Sequence, residues 1–358
     1  MQRKITILLA APPGDGLRVA REHFHDYVKP ILVAGALDWE VIEGRREGEV
    51  RAGLAEKIRR MRQKSGESRV PPEEATKSQD EAFEEARQAL GIREWDGVRG
   101  DLIIGRHTWK EYIRGLHEGW LGPIDPPPVV SAPDPQEAPA ESADQQPTDD
   151  AKPEETGKKP DPKPTPAPPY ITPPFYTSAV MAPSCPSDLS PSTAIHLPHI
   201  LGFLNTPKRM YRFLQRRKLT ESTGASVAAL VLATQTRPYA TEAQLDDASA
   251  GMASRPGCEQ DLLLKEAEHE WWKSAWAPNK EGEEKERPWQ EDMVLDPRIR
   301  ERMSTFELSE GSGTRAEELE GKARKERDSL WISLKKWAGY GPREREGWEM
   351  GLESGEDD

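Results

Sequence analysis

Short apolar runs alternate along the first part of the chain with stretches in which apolar residues recur every three or four positions. Residues 4–10 are apolar and rich in β-branched side chains, and the Pro- and Gly-rich stretch 12–16 follows them. This pattern predicts a buried strand that ends in a tight turn. Residues 17–34 have helical spacing, with Asp15 as the predicted N-cap and Pro30 as a predicted kink.

Two further strand–helix pairs continue this order. The pattern predicts strands at 39–42 and 101–105 and helices at 50–64 and 108–116. Residues 65–97 lie between the pairs and are predicted to form a charged insertion with one helix near 81–90. Strands that alternate with helices are typical of a parallel sheet. The sequence therefore predicts an α/β fold with a small, mostly parallel sheet and covering helices.

The chain is predicted to have four parts. Residues 1–123 form the α/β part, and residues 124–169, dominated by Pro, Ala, Asp, Glu and Lys, form a long disordered linker. Residues 170–240 are predicted to dock on the α/β part, and residues 241–358 to form a helical, acidic region. Within these last two parts the pattern predicts a helix at 207–217, a strand at 227–233, a helix at 261–276, and a helix from Ser312 or Thr314 to Gly339 or Gly341 with an apolar stripe of Leu319, Ala323, Leu330, Leu334 and Trp337.

Composition narrows the class of partner. The net charge is −13, so the chain as a whole does not offer the basic surface that nucleic acid binding requires. The two cysteines, Cys185 and Cys258, give neither a disulfide framework nor a paired metal motif. The longest apolar runs are shorter than the roughly 18 residues that span a bilayer. We therefore expect no transmembrane helix in the chain as written, and an address signal that is missing or internal.

Two places invite a catalytic interpretation. Gly14-Asp15-Gly16 could cradle a phosphate, but Val19 stands where a dinucleotide motif needs a small residue, and no Gly-Lys-Ser/Thr follows. A tight turn is the favoured interpretation. His107 follows the third strand, on the usual ligand side of an open sheet, but no nucleophile motif accompanies it. The sequence thus predicts no catalytic residue, no cofactor and no metal site.

Basic residues give the candidate partner-binding positions. Arg45 and Arg46 follow the second strand, and Arg51, Arg59, Arg60 and Arg62 are predicted to extend them along a solvated helix face. Such a patch could contact anionic lipid headgroups. On the predicted helix 207–217, Thr206 is the expected N-cap, and Tyr211, Phe213 and Leu214 are expected to be buried. Lys208 and four arginines would face solvent or a partner, namely Arg209, Arg212, Arg216 and Arg217.

The chain has 11 tryptophans, several of them in its acidic second half. Tryptophan is favoured at protein interfaces and at membrane interfaces. The alternative is that these side chains fill a small core, and the sequence leaves both interpretations open.

Several blocks of sequence resemble fungal members of the Tim54 family. They include Ala10-Ala11-Pro12-Pro13-Gly14-Asp15-Gly16-Leu17, Arg21-Glu22-His23-Phe24-His25-Asp26-Tyr27-Val28-Lys29-Pro30-Ile31-Leu32, Glu43-Gly44-Arg45-Arg46-Glu47-Gly48, Asp101-Leu102-Ile103-Ile104-Gly105-Arg106-His107-Thr108-Trp109-Lys110-Glu111-Tyr112, Gly202-Phe203-Leu204-Asn205-Thr206-Pro207 and Met293-Val294-Leu295-Asp296-Pro297-Arg298. The blocks are scattered between Ala10 and Arg298, so the resemblance spans most of the chain outside the linker and the acidic tail.

This resemblance implies a non-catalytic subunit of the translocase that inserts multi-pass carriers into the inner mitochondrial membrane, with its large domain in the intermembrane space. The implied partners are other translocase subunits, with small intermembrane-space chaperones and precursor proteins as further candidates. The sequence departs from the family pattern because the membrane-spanning helix that normally precedes the first strand is missing. Membrane association is then expected through that missing segment or through partners.

Two alternatives remain open. The order of strands and helices also resembles lipid kinases and NAD kinases, and Pro13-Gly14-Asp15-Gly16 is the nearest match to their phosphate loop, with Pro in place of the first Gly. The runner-up function is therefore a nucleotide-binding protein of that kind. The third possibility is a soluble adaptor.

Overall fold

A computed structural model describes residues 3–67, 86, 89–91, 97–126, 167–248, 257–276 and 286–337. The chain divides into two compact units, Met1–Glu307 and Leu308–Asp358. The predicted linker at 124–169 falls largely outside the described residues, as does most of the helix predicted at 81–90. The four-part division predicted from the sequence stays a prediction.

The described residues form six strands, eleven α-helices and several short turns. The strands are β1 (Lys4–Ala10), β2 (Asp38–Gly44), β3 (Asp101–Ile104), β4 (Ser192–Ile195), β5 (Gln235–Pro238) and β6 (Ser304–Glu307). The helices are α1 (Arg18–His23), α2 (Lys29–Ala34), α3 (Glu49–Lys64), α4 (Arg106–Leu121), α5 (Thr206–Leu214), α6 (Arg216–Leu232), α7 (Glu242–Ala248), α8 (Glu259–Leu262), α9 (Glu268–Ala275), α10 (Pro297–Arg300) and α11 (Glu310–Trp337). A π-helical turn lies at Phe24–Val28, and 3₁₀ turns lie at Pro173–Phe175, Phe203–Asn205 and Lys265–Ala267.

The main sheet has four parallel strands in the order β2-β1-β3-β4, which confirms the predicted α/β class. In the register, Ile7 of β1 lies opposite Val41 of β2 on one side and Leu102 of β3 on the other. The central strands β1 and β3 are almost fully buried, as the continuous apolar runs predict. Strand β4 was not predicted, because Ser-Thr-Ala-Ile lacks an apolar run. A second, antiparallel pair joins β5 to β6.

Helices pack on both sides of this sheet. Leu8 and Ile103 belong to a core cluster with residues of α3 and α4. Those two helices approach closely at Gly119, where an added Cβ would lie 2.6 Å from Ile58 Cδ1. Side chains alternate along a strand, so the buried Ile7 and Leu9 point to the opposite side, where α2 and α6 pack against each other. The result is a three-layer α/β/α arrangement.

One buried arginine joins the beginning of the chain to its middle. Arg3 precedes β1, and its guanidinium donates to the Val98 carbonyl at 2.9 Å and to the Leu230 carbonyl at 2.7 Å. The same group lies 5.2 Å from the ring centre of Phe306 on β6. The N-terminal strand is therefore fixed by residues that lie more than two hundred positions away.

Four element predictions were wrong, and one of them is the helix at 207–217, which is divided at Gln215 between α5 and α6. The run 227–233 is not a strand but the end of α6, because Thr223, Val227 and Leu230 bury one helical face. The predicted helix 17–34 is divided into α1, the π turn and α2, so the change in helical geometry comes before Pro30, which lies in the first turn of α2. The predicted helix 261–276 is divided into α8, a 3₁₀ turn and α9, with Leu264 at a positive φ of 55° between them.

The second unit contains the long helix α11, close to the helix predicted from the apolar stripe. In that helix Leu319, Leu330 and Leu334 are exposed. The side chains of Ala323 and Trp337 lie outside the described residues.

Candidate functional site

The carboxyl ends of β1 and β3 form the edge at which an open α/β sheet usually binds its ligand. The turn after β1 contains Gly14 at a φ of 82°, which explains the glycine. Asp15 does not cap α1 as predicted, because the helix begins at Arg18 with Leu17 as its N-cap. The Asp15 carboxylate instead accepts the N–H of Gly16 at 2.7 Å. The favoured interpretation of this stretch as a tight turn fits this local geometry.

His107 lies at this edge in the first turn of α4, where it is buried between aromatic rings. One imidazole nitrogen is 3.3 Å from the carbonyl oxygen of Ala10. The ring meets Trp271 and Trp289 edge-on, with centroid distances of 6.2 and 5.4 Å. Burial lowers the pKa of His107 to about 4, so the imidazole is neutral near pH 7. Both indole rings therefore pack against His107 at this edge of the sheet.

Glu111 occupies the place of an anionic ligand at the N-terminus of α3. Its carboxylate accepts the backbone N–H groups of Gly48 and Val50, both at 3.0 Å, and the indole N–H of Trp289 at 2.6 Å. Free N–H groups at a helix N-terminus are the usual binding site for a phosphate. Burial raises the pKa of Glu111 to about 7, because the charged form loses its hydration. At this helix a side chain from the same chain therefore takes the position available to a phosphate.

Helix α4 holds the covering segment in place through side chains that all lie on its buried surface. The indole of Trp109 donates to the Gln260 carbonyl at 3.0 Å, and Lys110 donates to the Trp289 carbonyl at 2.9 Å. Arg106 pairs with Glu268 of α9 at 2.8 Å. Every residue of α4 is buried, since the helix packs on the sheet, on α3 and on residues within 260–276 and 286–296. The edge is thereby closed by the chain itself.

A second polar cluster lies between α3 and α4. Glu118 pairs with both Arg51 and Arg59, and all three side chains are buried. The guanidinium of Arg59 also lies 3.6 Å from the ring centre of Tyr170, and Arg51 donates to the Ala167 carbonyl at 2.6 Å. The carboxylate balances one of the two guanidinium charges, and the Tyr170 ring and the Ala167 carbonyl give the two arginines further partners in the buried cluster.

The predicted solvated face of α3 was therefore wrong for three of its four arginines. Arg51 and Arg59 are buried with Glu118, and Arg62 is buried against Glu67 at 2.8 Å. Arg60 alone of the four is exposed, paired with Glu56 one turn earlier. The error arose because Arg51 and Arg59 pair with a carboxylate of α4, and Arg62 also donates to two carbonyls at the end of α4, contacts that one sequence does not reveal.

The six candidate partner-binding arginines follow the carboxyl ends of the two outer strands. Arg45 is exposed and Arg46 is half-buried after β2. The other four lie on α5 and α6, which come after β4 at the opposite edge of the sheet. Arg209, Arg216 and Arg217 are exposed, while Arg212 is half-buried and donates to Glu270 of α9 at 3.0 Å. The structure thus places the six residues in two groups.

Helix α5 differs from its prediction in which side chains it buries. Tyr211, Phe213 and Leu214 were expected in the core, but all three are exposed. The predicted cap was also wrong, since Asn205 is the N-cap and Thr206 is the first helical residue, with its hydroxyl donating to the Phe203 carbonyl. The helix is held by Lys208 and Arg212, which both bind Glu270. The side of α5 with these two cations therefore faces the protein.

The buried groups that define the sheet edge were missed by sequence reasoning. Glu111 appeared only inside a block of sequence and the tryptophans Trp271 and Trp289 only within a count, and Glu118 of the second cluster was not named at all. A signal did exist, because Glu111 and Glu118 are seven residues apart and share one face of a helix. Within the described parts of the chain, no cluster of His, Cys, Asp or Glu has metal-binding geometry, and none of the helices is long and apolar enough to cross a membrane.

Comparison with known proteins decides the family. A family model described as inner membrane protein import complex subunit Tim54 matches residues 1–306. A relative from Aspergillus oryzae is 46% identical, over 96% of this chain and 83% of its own length. A relative from Neurospora crassa is 44% identical, over 95% of this chain and 73% of its own length. Both are named mitochondrial import inner membrane translocase subunit tim54.

The chain belongs to the Tim54 family. The resemblance inferred from the scattered blocks is confirmed, and the match extends to yeasts, since a relative from Saccharomyces cerevisiae is 25% identical over 85% of this chain. Family membership assigns the chain to protein import at the mitochondrial inner membrane. The closed sheet edge, the buried Glu118 cluster and the exposed α5 are thus features of a Tim54 domain.

Proposed function

We propose that this Tim54 chain is a non-catalytic subunit of the carrier translocase, exposed to the intermembrane space and assembled with the other translocase subunits. Family membership supports the proposed location and the proposed complex. The filled sheet edge supports the proposed lack of catalysis. Small intermembrane-space chaperones and carrier precursors are its further proposed partners.

The observation that carries the non-catalytic role is the filled ligand edge. Trp271 and Trp289 cover His107, and Glu111 binds the N-terminal amides of α3. A nucleotide bound there would have to displace two indole rings and a buried carboxylate. Other open α/β sheets bind a cofactor at this position. In this protein, side chains of the core fill it.

Nucleotide titration tests this role directly. The purified chain is titrated with ATP and NAD by calorimetry, and we expect no saturable heat with either. The His107→Gln substitution should then change thermal stability, and neither the wild type nor the variant should turn over ATP or NAD. Saturable binding of ATP, combined with phosphoryl transfer that His107→Gln or Asp15→Asn removes in a folded protein, would instead establish the kinase-like alternative.

The carrier-specific part of the proposal needs a transport assay. This chain can replace Tim54 in mitochondria of a suitable host. Depletion of the chain should then reduce insertion of a multi-pass carrier and leave import of a matrix-targeted precursor unchanged. An equal loss of carrier insertion and of matrix import would contradict the carrier specificity and leave only a general role in import.

Arg45 and Arg46 are the candidate contacts for another translocase subunit. Arg45 is exposed beside the turn into α3, and charge pairs at the rim of an interface mainly set specificity and association rate. We expect Arg45→Glu/Arg46→Glu to weaken assembly on native gels, while Arg18→Glu/Arg60→Glu, a charge-matched control at exposed positions of α1 and α3, leaves assembly intact. If the folded Arg45→Glu/Arg46→Glu variant assembles normally, these two residues are not the contact with another translocase subunit.

A further inference from the structure

The segment Phe203–Lys218, which comprises a 3₁₀ turn, α5 and the start of α6, presents apolar side chains to solvent. In α5, Pro207, Met210, Tyr211 and Leu214 recur at spacings of three and four, so they share one face of the helix. A surface helix normally buries such a face. Here no residue of α5 is buried.

The orientation of α5 follows from its other face. Lys208 and Arg212, one turn apart, both bind the Glu270 carboxylate of α9, and Arg212 does so through two nitrogens. This attachment turns the side of the helix with Lys208 and Arg212 toward the protein. The apolar face is consequently held outward by a defined contact.

Apolar exposure continues on both sides of this face. Phe203 and Leu204 in the preceding 3₁₀ turn are 88% and 92% exposed. Phe213 is also exposed, with the guanidinium of Arg216 4.4 Å from its ring centre. The exposed apolar set is therefore broader than the single stripe that one helix lays into a protein groove.

The charge of the segment is opposite to that of the chain. Six Lys and Arg residues and no Asp or Glu occur between Phe203 and Thr220, in a protein of net charge −13. Arg209 and Arg216 are exposed, and their contacts in the structure are with the Thr206 hydroxyl and the Phe213 ring. A surface that combines apolar side chains with cations fits an anionic, apolar partner.

We propose that Phe203–Lys218 lies on the surface of an anionic phospholipid bilayer, with its apolar side chains at the boundary between headgroups and acyl chains. Arg209 and Arg216 contact lipid phosphates, and their long stems allow the charges to reach the headgroup level. The attachment to Glu270 then sets how the sheet domain is oriented over the membrane. This proposal is independent of the carrier-import role, since it requires only the segment and a bilayer.

Vesicle flotation of the full chain tests the charge requirement. Binding is expected to vesicles of phosphatidylcholine mixed with phosphatidylglycerol, to weaken with added salt, and to be small with phosphatidylcholine alone. Each basic residue near an anionic surface contributes about fivefold in affinity. Arg209→Glu/Arg216→Glu should therefore lower the partition coefficient by more than about tenfold, whereas the matched Arg18→Glu/Arg60→Glu control should not change it.

A second pair of variants tests the apolar requirement. Met210 and Leu214 are 65% and 77% exposed, and Phe175 and Val180, on another part of the surface, are 61% and 86% exposed. Met210→Ser/Leu214→Ser should lower vesicle binding by about tenfold or more, because each lost apolar side chain removes transfer free energy. Phe175→Ser/Val180→Ser should leave binding unchanged. All four substitutions alter exposed positions, so circular dichroism and thermal unfolding should show an intact fold.

Three results would overturn the proposal. The first is no binding of the wild-type chain to anionic vesicles, and the second is binding that survives both segment variants. The third is that a segment variant binds vesicles as the wild type does but loses a translocase subunit from the native complex. That result would make the segment a protein-docking helix.

Discussion

His117 shows how a single buried side chain can make stability depend on pH. Its Nδ1 lies 2.7 Å from the Ile113 carbonyl, and its Nε2 accepts the Asp296 N–H at 2.9 Å. The second bond requires a neutral ring with its proton on Nδ1. Burial lowers the pKa of His117 to about 4, and the ring stacks on Tyr176.

We expect the free energy of unfolding to fall as the pH is lowered from about 6.5 toward 4. The folded-state pKa of His117 lies below its unfolded value, so its contribution is present above pH 6.5 and lost as the pH falls through the folded value. His117→Gln should flatten this dependence in urea unfolding measured across that range. His25→Gln, at an exposed position, is the control and should keep the wild-type slope. Parallel wild-type and His117→Gln curves would contradict the expectation.

Glu118 provides the second prediction at the scale of one residue. Glu118→Gln removes the carboxylate that pairs with both buried arginines, Arg51 and Arg59, and breaking a buried ion pair from one side costs about 3–5 kcal/mol. Glu56→Gln breaks an exposed pair with Arg60 and should cost about 0.5 kcal/mol or less. Urea unfolding measures both, and a similar small loss in the two variants would show that the buried cluster is not a stabilising unit.

Single residues were the least predictable part of this protein. Arg51, Arg59 and Arg62 look like any solvated basic helix in the sequence, because their partners arrive from α4 and from Glu67. Exposure of Tyr211 and Leu214 was equally hidden, since helical spacing indicates that apolar residues share a face and does not say which way the face points.

At the scale of elements, the contact between α3 and α4 depends on glycine. An alanine methyl at Gly119 would lie 2.7 Å from Ile58 Cβ, which is part of a rigid branched side chain. Gly119→Ala should therefore lower the free energy of unfolding by about 1–3 kcal/mol through overpacking. The matched control is Gly224→Ala in α6, where nothing lies within 4 Å of the added atom.

The control should change stability in the opposite direction. Alanine in a helix interior is favoured over glycine by about 0.5–1 kcal/mol when nothing obstructs it. Thermal unfolding of both variants tests the pair. A Gly119→Ala protein as stable as Gly224→Ala would mean that the two helices can separate without cost.

Elements with strong apolar character were predictable, and those without it were not. Residues 4–10 form β1 within the predicted bounds, and β3 differs by one residue. Strand β4 is only four residues long and half polar, so its place in the sheet depends on its pairing with β3. The apolar end of α6 was mistaken for a strand because short apolar runs do not distinguish a buried helix from a buried strand.

At the scale of the whole molecule, the ligand edge is completed by a late segment of the chain. Trp289 is buried there, and its indole N–H reaches Glu111. Trp289→Ala should lower the free energy of unfolding by about 3–5 kcal/mol, as expected for deletion of a large buried aromatic group. Trp276→Ala removes an exposed indole and should change stability by about 0.5 kcal/mol or less.

Intrinsic fluorescence and urea unfolding can compare these two variants. Equal stability would show that Trp289 covers the edge without holding it. The sequence counted these tryptophans but left open whether they fill a core or an interface. The structure divides them, since Trp271 and Trp289 are buried while Trp272 and Trp276 are exposed.

The contacts of Arg3 with residues far away in sequence affect when the domain can complete its folding. Arg3 directly precedes the first strand, but its guanidinium finds carbonyl partners at Val98 and Leu230 and an aromatic neighbour at Phe306. A polypeptide that enters a compartment N-terminus first would leave this guanidinium without its contacts at Leu230 and Phe306 until most of the chain had arrived. The domain would then mature in one late step, and its exposed early strands would need protection throughout the delay.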